Sequence, residues 1–506
     1  MSTTPTTPKL SGPATAPVRV RRPDLGARPP ATRARARDLV REHPLATAVV
    51  AALALSALSL LYPSTPSYDP WAWIQWGRDI MQFELDTNTG PSWKPLPVLF
   101  TTLFAPFGDA APDLWLVIAR AGGILALVMC FRLASRLVGG GRAGVAGGIV
   151  AALGLLLSTY FLRNTMMGYS EALMIALVLF AIERHADDHH GQAFALGFGA
   201  ALLRPEVWPF IGLYGLWLMW REPEHRKLVV GLGFATAFLW LVPEWWGSGQ
   251  PFRAASRAQQ VANGSIALSD NPALALVQRA RTLLMPIDKI GIILALGFTG
   301  WTMARTRRVP LAFWIAGSAA AWVGIVAVMT QGGFAGNERY LAMPVALGCV
   351  LSGAGWASLG KRLNRMAPKN KRRWAGPLIA AALTAVAIPL AIPRLGQLDK
   401  DDTTLRFQAQ LRDDLHQAVK QYGGRERALA CGDIYAGAYN VAMVSWMLDV
   451  PGEAVNYEPS IPGVIFRGRS RKSVNPTPPV NDAWRPVTRA GEFTVLEACA
   501  PGGTSN

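Results

Sequence analysis

The sequence predicts an α-helical polytopic membrane protein of about eleven transmembrane elements, with a small C-terminal extracytoplasmic α/β domain. Three observations predict it. Only 16% of the 506 residues are charged, 51% are hydrophobic and the mean hydropathy is +0.22, whereas soluble globular chains carry about 25% charged residues. Apolar runs close to the ~20 residues a spanning helix needs recur along the chain. The formal charge of +17 is gathered in the N-terminal tail and in short loops between apolar runs, as in polytopic proteins whose cytoplasmic loops are rich in Lys and Arg. Spread over a soluble domain, that charge would suggest nucleic acid. With neither an RNP-like motif nor zinc-finger spacing, a nucleic-acid partner is set aside.

Residues 1–44 are rich in Pro, Thr, Ala and Arg, with nine basic residues against three acidic ones. Such a segment cannot bury a core and reads as a disordered basic cytoplasmic tail. It is not a signal peptide, because the basic stretch is too long and no small-residue cleavage site follows the apolar run.

Residues 45–392 form the predicted transmembrane domain. Spans are expected at 45–62, 114–131, 144–161, 168–183, 228–243, 286–302, 309–330, 340–358 and 375–392. Two shorter runs, 192–203 and 206–220, flank "LLRPEVW" and suggest a hairpin that does not cross fully. With the N-terminus inside, the cytoplasmic loops hold Arg132, Arg136 and Arg142, then "ERHADDHH", "REPEHRK", "RTRR" and "KRLNRMAPKNKRRW". All but the mixed "ERHADDHH" are clearly basic, and acidic residues weigh little in orientation. An odd count of elements then puts loops 63–113 and 244–285 and the domain 393–506 outside. That places the chain as a multi-pass protein of the cell membrane, its lipid partner the bilayer.

Cys130 and Cys349 lie in apolar runs and read as buried small hydrophobes. Cys431 and Cys499 lie in the polar C-terminal region, where a disulfide would need an oxidising compartment, in agreement with the exterior placement. That region shows strand-like runs at "RALAC" and "FTVLEAC" and a helix-like run at 435–448.

The stretch "YDPWAWIQWGRD", 68–79, raises a chemical question. Asp at an N-cap with Pro at N1 is a favoured helix start, and Trp73, Trp76 and Ile80 near one face suit a helix lying in the membrane interface. A carboxylate held at a helix start can also face a cleft, so capping and chemistry are compatible.

The context of that aspartate resembles a known superfamily. After it come a Pro-rich return, an "FG" turn and "AR" inside the next helix, then "GYSEALMIALVLFAIERH", "GAALLRPEVWPF", "WWGSGQPFRAASRAQQ" and "NERYLAMPVAL", in order. Residues 45–392 thereby resemble the GT-C superfamily of integral-membrane glycosyltransferases, which includes protein O-mannosyltransferases and arabinosyl- and mannosyltransferases. The resemblance implies a polyprenyl-phosphate sugar donor, a cell-envelope acceptor (glycan, lipid or protein) and Asp69 as the base. Sugar transfer needs a base for the acceptor hydroxyl and cations for the departing phosphate, with inversion following from one direct displacement. Many relatives carry two adjacent acids in the first loop. Here Pro70 follows Asp69 and the nearest other acid is Asp79, so no adjacent acid pair supports a divalent metal and no cofactor is assigned.

For the phosphate, the candidates are Lys94, Arg120, Arg163, Arg204 and Arg339. By resemblance to the family's phosphate-binding arginine, Arg339 leads, beside Glu338 and Tyr340 in "NERYLAMP"; Tyr340 also suits an aromatic belt. Arg120, well inside a span, needs a partner, and Glu171 is the expected one. Arg204 and Glu206 flank Pro205, where irregular backbone at membrane depth is tolerated if it lines a cavity; they also suffice to pair with each other. Four of the six histidines fall in cytoplasmic loops, and "VGGGRAG" lacks both a preceding strand and a Walker lysine, so nucleotide binding is discounted. The rival readings are a transporter or lipid-sugar flippase, for which no internal repeat is visible, and a catalytically silent envelope scaffold, to which the Asp69–Pro70 departure gives weight.

Overall fold

Each of the eleven apolar runs folds as a helix in the computed structural model of the chain, which describes residues 44–261, 264–368, 372–470 and 473–500. The basic tail expected at 1–44 lies, except for Pro44, outside the described residues. In chain order, α1 (Pro44–Leu58) leads to two short helices, α2 (Tyr68–Met81) and α3 (Pro95–Phe104), then to α4 (Ala111–Leu137), α5 (Gly141–Leu156) and the short α6 (Phe161–Met166). Next come α7 (Glu171–Ala186), α8 (His190–Ala201), α9 (Trp208–Arg221), α10 (Arg226–Ser248) and α11 (Arg253–Gln259). The helical part closes with α12 (Pro272–Leu283), α13 (Pro286–Thr306), α14 (Leu311–Gln331), α15 (Ala342–Met366) and α16 (Arg372–Tyr422). Among the described residues six stretches are long and apolar enough to cross a membrane.

The centre of the bundle is α15, buried along almost its whole first half. Its sequence explains this. "ALGCVLSGAG" places small residues on several faces, so neighbouring backbones approach closely. A Cβ at Gly353 would stand 2.1 Å from the carbonyl of Gly147 in α5, and one at Gly355 only 2.0 Å from that of Gly291 in α13. No larger side chain fits at either crossing.

The α2 helix is not the half-exposed interface helix that its tryptophans suggested. Residues Asp69–Asp79 are all buried. Trp73 meets Trp115 of α4 edge to face at 5.6 Å, and Gly77 lets α3 approach so closely that a Cβ there would lie 2.5 Å from the backbone of Thr101. The other side is covered by the C-terminal region, where Trp71 lies 6.5 Å from Trp446.

That region begins without a linker. The 51-residue α16 runs on to Tyr422, and after Gly423 and Gly424, both at positive φ, comes α17 (Gly424–Cys431). The "RALAC" run is therefore helical, not a strand. A six-stranded sheet follows: β1 (Asp433–Ala436), β2 (Val455–Asn456), β3 (Gly463–Ser470), β4 (Ser473–Thr477), β5 (Arg485–Ala490) and β6 (Phe493–Ala498), with α18 (Val441–Leu448) between β1 and β2. Its order is β2-β1-β3-β6-β5, with β4 also on β3. β1 runs parallel to β2 and β3, and the remaining pairs are antiparallel.

Period-2 alternation sorts the strand residues by face. Val464, Phe466, Phe493 and Val495 join Leu411, Leu415 and Tyr422 of α16 in one core, whereas Ile465 and Leu496 pack with Tyr435 and Trp484 on the other face. A disulfide joins Cys431 at the end of α17 to Cys499 after β6, across 68 residues of sequence.

Candidate active site

Ser67, in extended conformation, is the N-cap of α2, and Asp69 lies one residue inside, ahead of Pro70. The expectation that Asp69 itself caps the helix is thus corrected: Ser67 holds the cap position and Asp69 lies within the first turn. A carboxylate in the first turn still gains from the helix dipole. It is 6% exposed, and its Oδ2 stands 2.6 Å from Nη1 of Arg339.

Four chain breaks bring the partners together. Arg339 sits in the short turn before α15, Glu171 opens α7, Arg204 lies where the 190–221 hairpin is broken by Pro205, and Lys94 precedes Pro95 of α3. Glu171 is the keystone. Its carboxylate accepts from the Arg204 guanidinium, Arg339 Nε lies 4.0 Å away, and Glu206 stands 3.6 Å from the other side of Arg204. Aromatic rings support the cations from below: Tyr340 under Arg204 at 4.6 Å, Tyr169 under Arg339 at 4.9 Å and Trp73 under Lys94 at 4.9 Å. Lys94 donates to Ser170 Oγ at 3.3 Å, and burial, with Arg204 and Arg339 nearby, pulls its ammonium down to about 7. The local charges balance at three cations against Asp69, Glu171 and Glu206 while Lys94 is protonated.

The structure separates other residues from this cluster. Arg120 does not pair with Glu171. Its guanidinium donates to the Ser59 carbonyl and hydroxyl at 3.0 and 2.9 Å, to Ser64 and to the Met166 carbonyl, holding the start of the first loop. Glu338 pairs with Arg279. Asp79, fully buried at the far end of α2, is away from Asp69; burial pushes its carboxyl up to about 7.

A cavity of about 430 Å³ opens beside Asp69 and Arg339. Its wall includes Tyr160, Arg163, Asn164 and Tyr169 from the 157–170 segment, and Tyr439, Asn440 and Ser470 from the sheet domain. Arg163 lies 3.3 Å from Asp401 and 4.4 Å from the Tyr160 ring centre. Tyr160, Asn164 and Tyr439 carried no motif and went unread in the sequence; the usable signal was a polar, aromatic connection between two spans. A second cavity, about 510 Å³, shares Tyr68 with the first and is lined by Trp76, Arg253, Arg257, Gln250 and Tyr457. The pair can hold an anion beside a carboxylate on one side of Tyr68 and a polar, aromatic-contacting molecule on the other.

No family model and no curated protein matches the chain. Among solved structures it is similar to ArnT from Cupriavidus metallidurans bound to undecaprenyl phosphate, with a TM-score of 0.51 and 12% identity over 92% of this chain and 99% of that one. The apo state of the same ArnT gives a TM-score of 0.50 and 13% identity over 91% of this chain and 100% of that one. At such identity the likeness is one of fold.

Proposed function

The chain has the fold of the GT-C superfamily of membrane glycosyltransferases, and from that premise we propose that it moves a sugar from a polyprenyl phosphate to a cell-envelope acceptor at the exterior membrane face. The observation that carries this reading is the Asp69–Arg339 pair on the wall of the first cavity, one base and one anion-binding group in contact. The ArnT neighbour is bound to undecaprenyl phosphate, which supports a lipid-phosphate donor here.

The chemistry follows from the pair. The donor phosphate enters beside Arg339, with Arg163 across the cavity, and competes with Asp69 for the Arg339 guanidinium. Asp69 Oδ2 is thereby released as a base. It takes the acceptor hydroxyl proton while the acceptor oxygen forms the new glycosidic bond and the anomeric C–O(phosphate) bond breaks. The electron pair stays with the phosphate, which leaves as polyprenyl phosphate against the cations. One displacement inverts the anomeric carbon. Asp69's immediate charged neighbour is an arginine, not a second carboxylate, so the proposal assigns it no metal. The second cavity, across Tyr68, takes the acceptor. The N-terminal tail is placed in the cytoplasm and 393–506 outside, where the Cys431–Cys499 disulfide is stable.

The test uses purified protein in nanodiscs, a panel of polyprenyl-phosphate pentoses and hexoses, and envelope acceptors. Acceptor-dependent release of free polyprenyl phosphate is expected. Movement of a lipid-linked sugar across the bilayer without release would favour the transporter reading, and neither activity would favour a scaffold.

Lys94 gives this reading a pH signature. With its folded value near 7, the ammonium that assists phosphate is lost as pH rises, and the apparent donor KM is expected to rise about fivefold between pH 7 and 8. Stability moves the other way. The folded value lies below the ordinary lysine value, so the unfolded chain binds more protons above pH 7 and the fold gains stability as pH climbs from there. In Lys94→Met both trends should flatten; a donor KM that keeps its wild-type pH dependence in that variant removes Lys94 from phosphate binding.

A further inference from the structure

We propose that Asp79 and Asp86 hold a divalent cation, calcium, at the junction between the first long loop and the sheet domain. The two carboxylates are 0% and 4% exposed. Asp79 Oδ1 accepts from Gln75 Nε2 at 2.7 Å, and Asp86 Oδ1 accepts from the Asn88 backbone and side-chain amides at 2.9 and 2.8 Å. The second oxygen of each, Oδ2, is buried with no hydrogen-bond partner among the described residues.

Those two oxygens face one space. Gly452, just beyond α18, has no side chain, and the point where its Cβ would stand has Asp79 Oδ2 at 3.8 Å and Asp86 Oδ2 at 3.9 Å as its nearest neighbours, then Gln75 Cγ at 3.9 Å. The adjacent cation, Arg78, acts on Asp79 through its charge but donates to neither free oxygen. Arg78 is committed to Asp449 at 2.8 Å, Gln75 Oε1 at 2.9 Å, the Val450 carbonyl at 2.6 Å and the Trp446 carbonyl at 3.3 Å. Two buried carboxylates whose free oxygens lack any hydrogen-bond donor among the described residues are costly, and a cation between them satisfies both.

The donor set selects the ion. Only oxygens are present, which suits a hard cation rather than zinc or copper. Calcium accepts carboxylate oxygens at about 2.3–2.6 Å in irregular geometry and completes its shell with water. Water has a route, because Gln75, Asn88 and Gly452 line the second cavity. With two protein carboxylates, the affinity belongs near the ~10⁻⁴–10⁻³ M of extracellular calcium modules, which fits the proposed exterior placement. The ion ties the end of α2, the 82–94 loop and the turn after α18 into one wall.

The experiment needs no substrate, so its outcome is independent of the proposed activity. Full-length protein in phosphatidylcholine nanodiscs is titrated with CaCl₂ after EGTA treatment, by isothermal titration calorimetry and by tryptophan-monitored thermal unfolding. Wild type is expected to bind one calcium per chain, more tightly than magnesium, and to unfold at higher temperature when bound. Asp79→Asn and Asp86→Asn should each weaken binding at least tenfold while unfolding no earlier than wild type in EGTA. Asp86→Asn, in a loop, keeps the test decisive if Asp79→Asn does not fold. A wild type indifferent to 10 mM calcium overturns the site. Equal calcium responses in wild type and both variants overturn it too.

Discussion

Asp69→Asn is expected to fold, to accept the donor and to transfer sugar at least about a hundredfold more slowly than wild type, the low end of what a positioned base supplies. Asparagine keeps the shape of the side chain in its 6%-exposed setting and removes its charge and its ability to take a proton. Arg339 loses its 2.6 Å partner, but Glu171 remains within 4.0 Å, so the cation is not stranded. The loss should fall on kcat more than on donor KM, since a freed Arg339 meets the phosphate without first leaving a carboxylate. A donor KM equal to or lower than wild type beside a collapsed kcat is the diagnostic combination. Equal turnover by both proteins would reduce Asp69 to the anchor of Arg339 and return the catalytic question to the start.

The second large effect is structural. Glu171→Gln is expected to lose about 3–5 kcal/mol, the cost of leaving buried charge unpaired after one partner is removed. Glu171 is 4% exposed and is the shared counter-ion of Arg204 and Arg339, with Lys94 nearby. Without it, three cations face Asp69 and Glu206 alone. Most Glu171→Gln protein should fail to reach a monodisperse folded state in detergent, and adding Arg204→Gln should recover a large part of the loss, because the pair is then removed together. A double-mutant cycle read by thermal unfolding isolates that coupling. If Glu171→Gln alone is as stable as wild type, the carboxylate is no keystone and the cluster is held by its aromatic supports.

Helix positions were legible because hydrophobic length is a strong signal; all eleven runs are helical. Pairings were not. Arg120 and Glu171 both sit early in their helices, and sequence offers no way to see that Ser59, Ser64 and the Met166 carbonyl already surround Arg120, or that the broken hairpin delivers Arg204 to Glu171 instead. "RALAC" failed for another reason. A five-residue apolar run has no period to distinguish strand from helix, and two positive-φ glycines fix its entry as a helix start. Asp69 was found through family resemblance and its setting in the chain. Its true local role, inside the helix and off the cap, depends on Ser67 taking the cap position first. Tyr160, Asn164 and Tyr439 join the cavity only through tertiary contact between segments nearly 280 residues apart.

The unbroken α16 has a mechanical consequence. At about 1.5 Å per residue its 51 residues extend about 75 Å, more than twice a ~30 Å hydrocarbon slab. The sheet is moored to a boom, not hung on a leash. Swinging it off the cavities would require bending α16, and the weak places are Pro389 and Pro393, each lacking an amide hydrogen for the helix ladder. Immediately after them, Arg394 lashes the boom to Thr159 and to the Leu283 carbonyl at 3.4 Å. Stiffness there sets how far the roof over the cavities can lift.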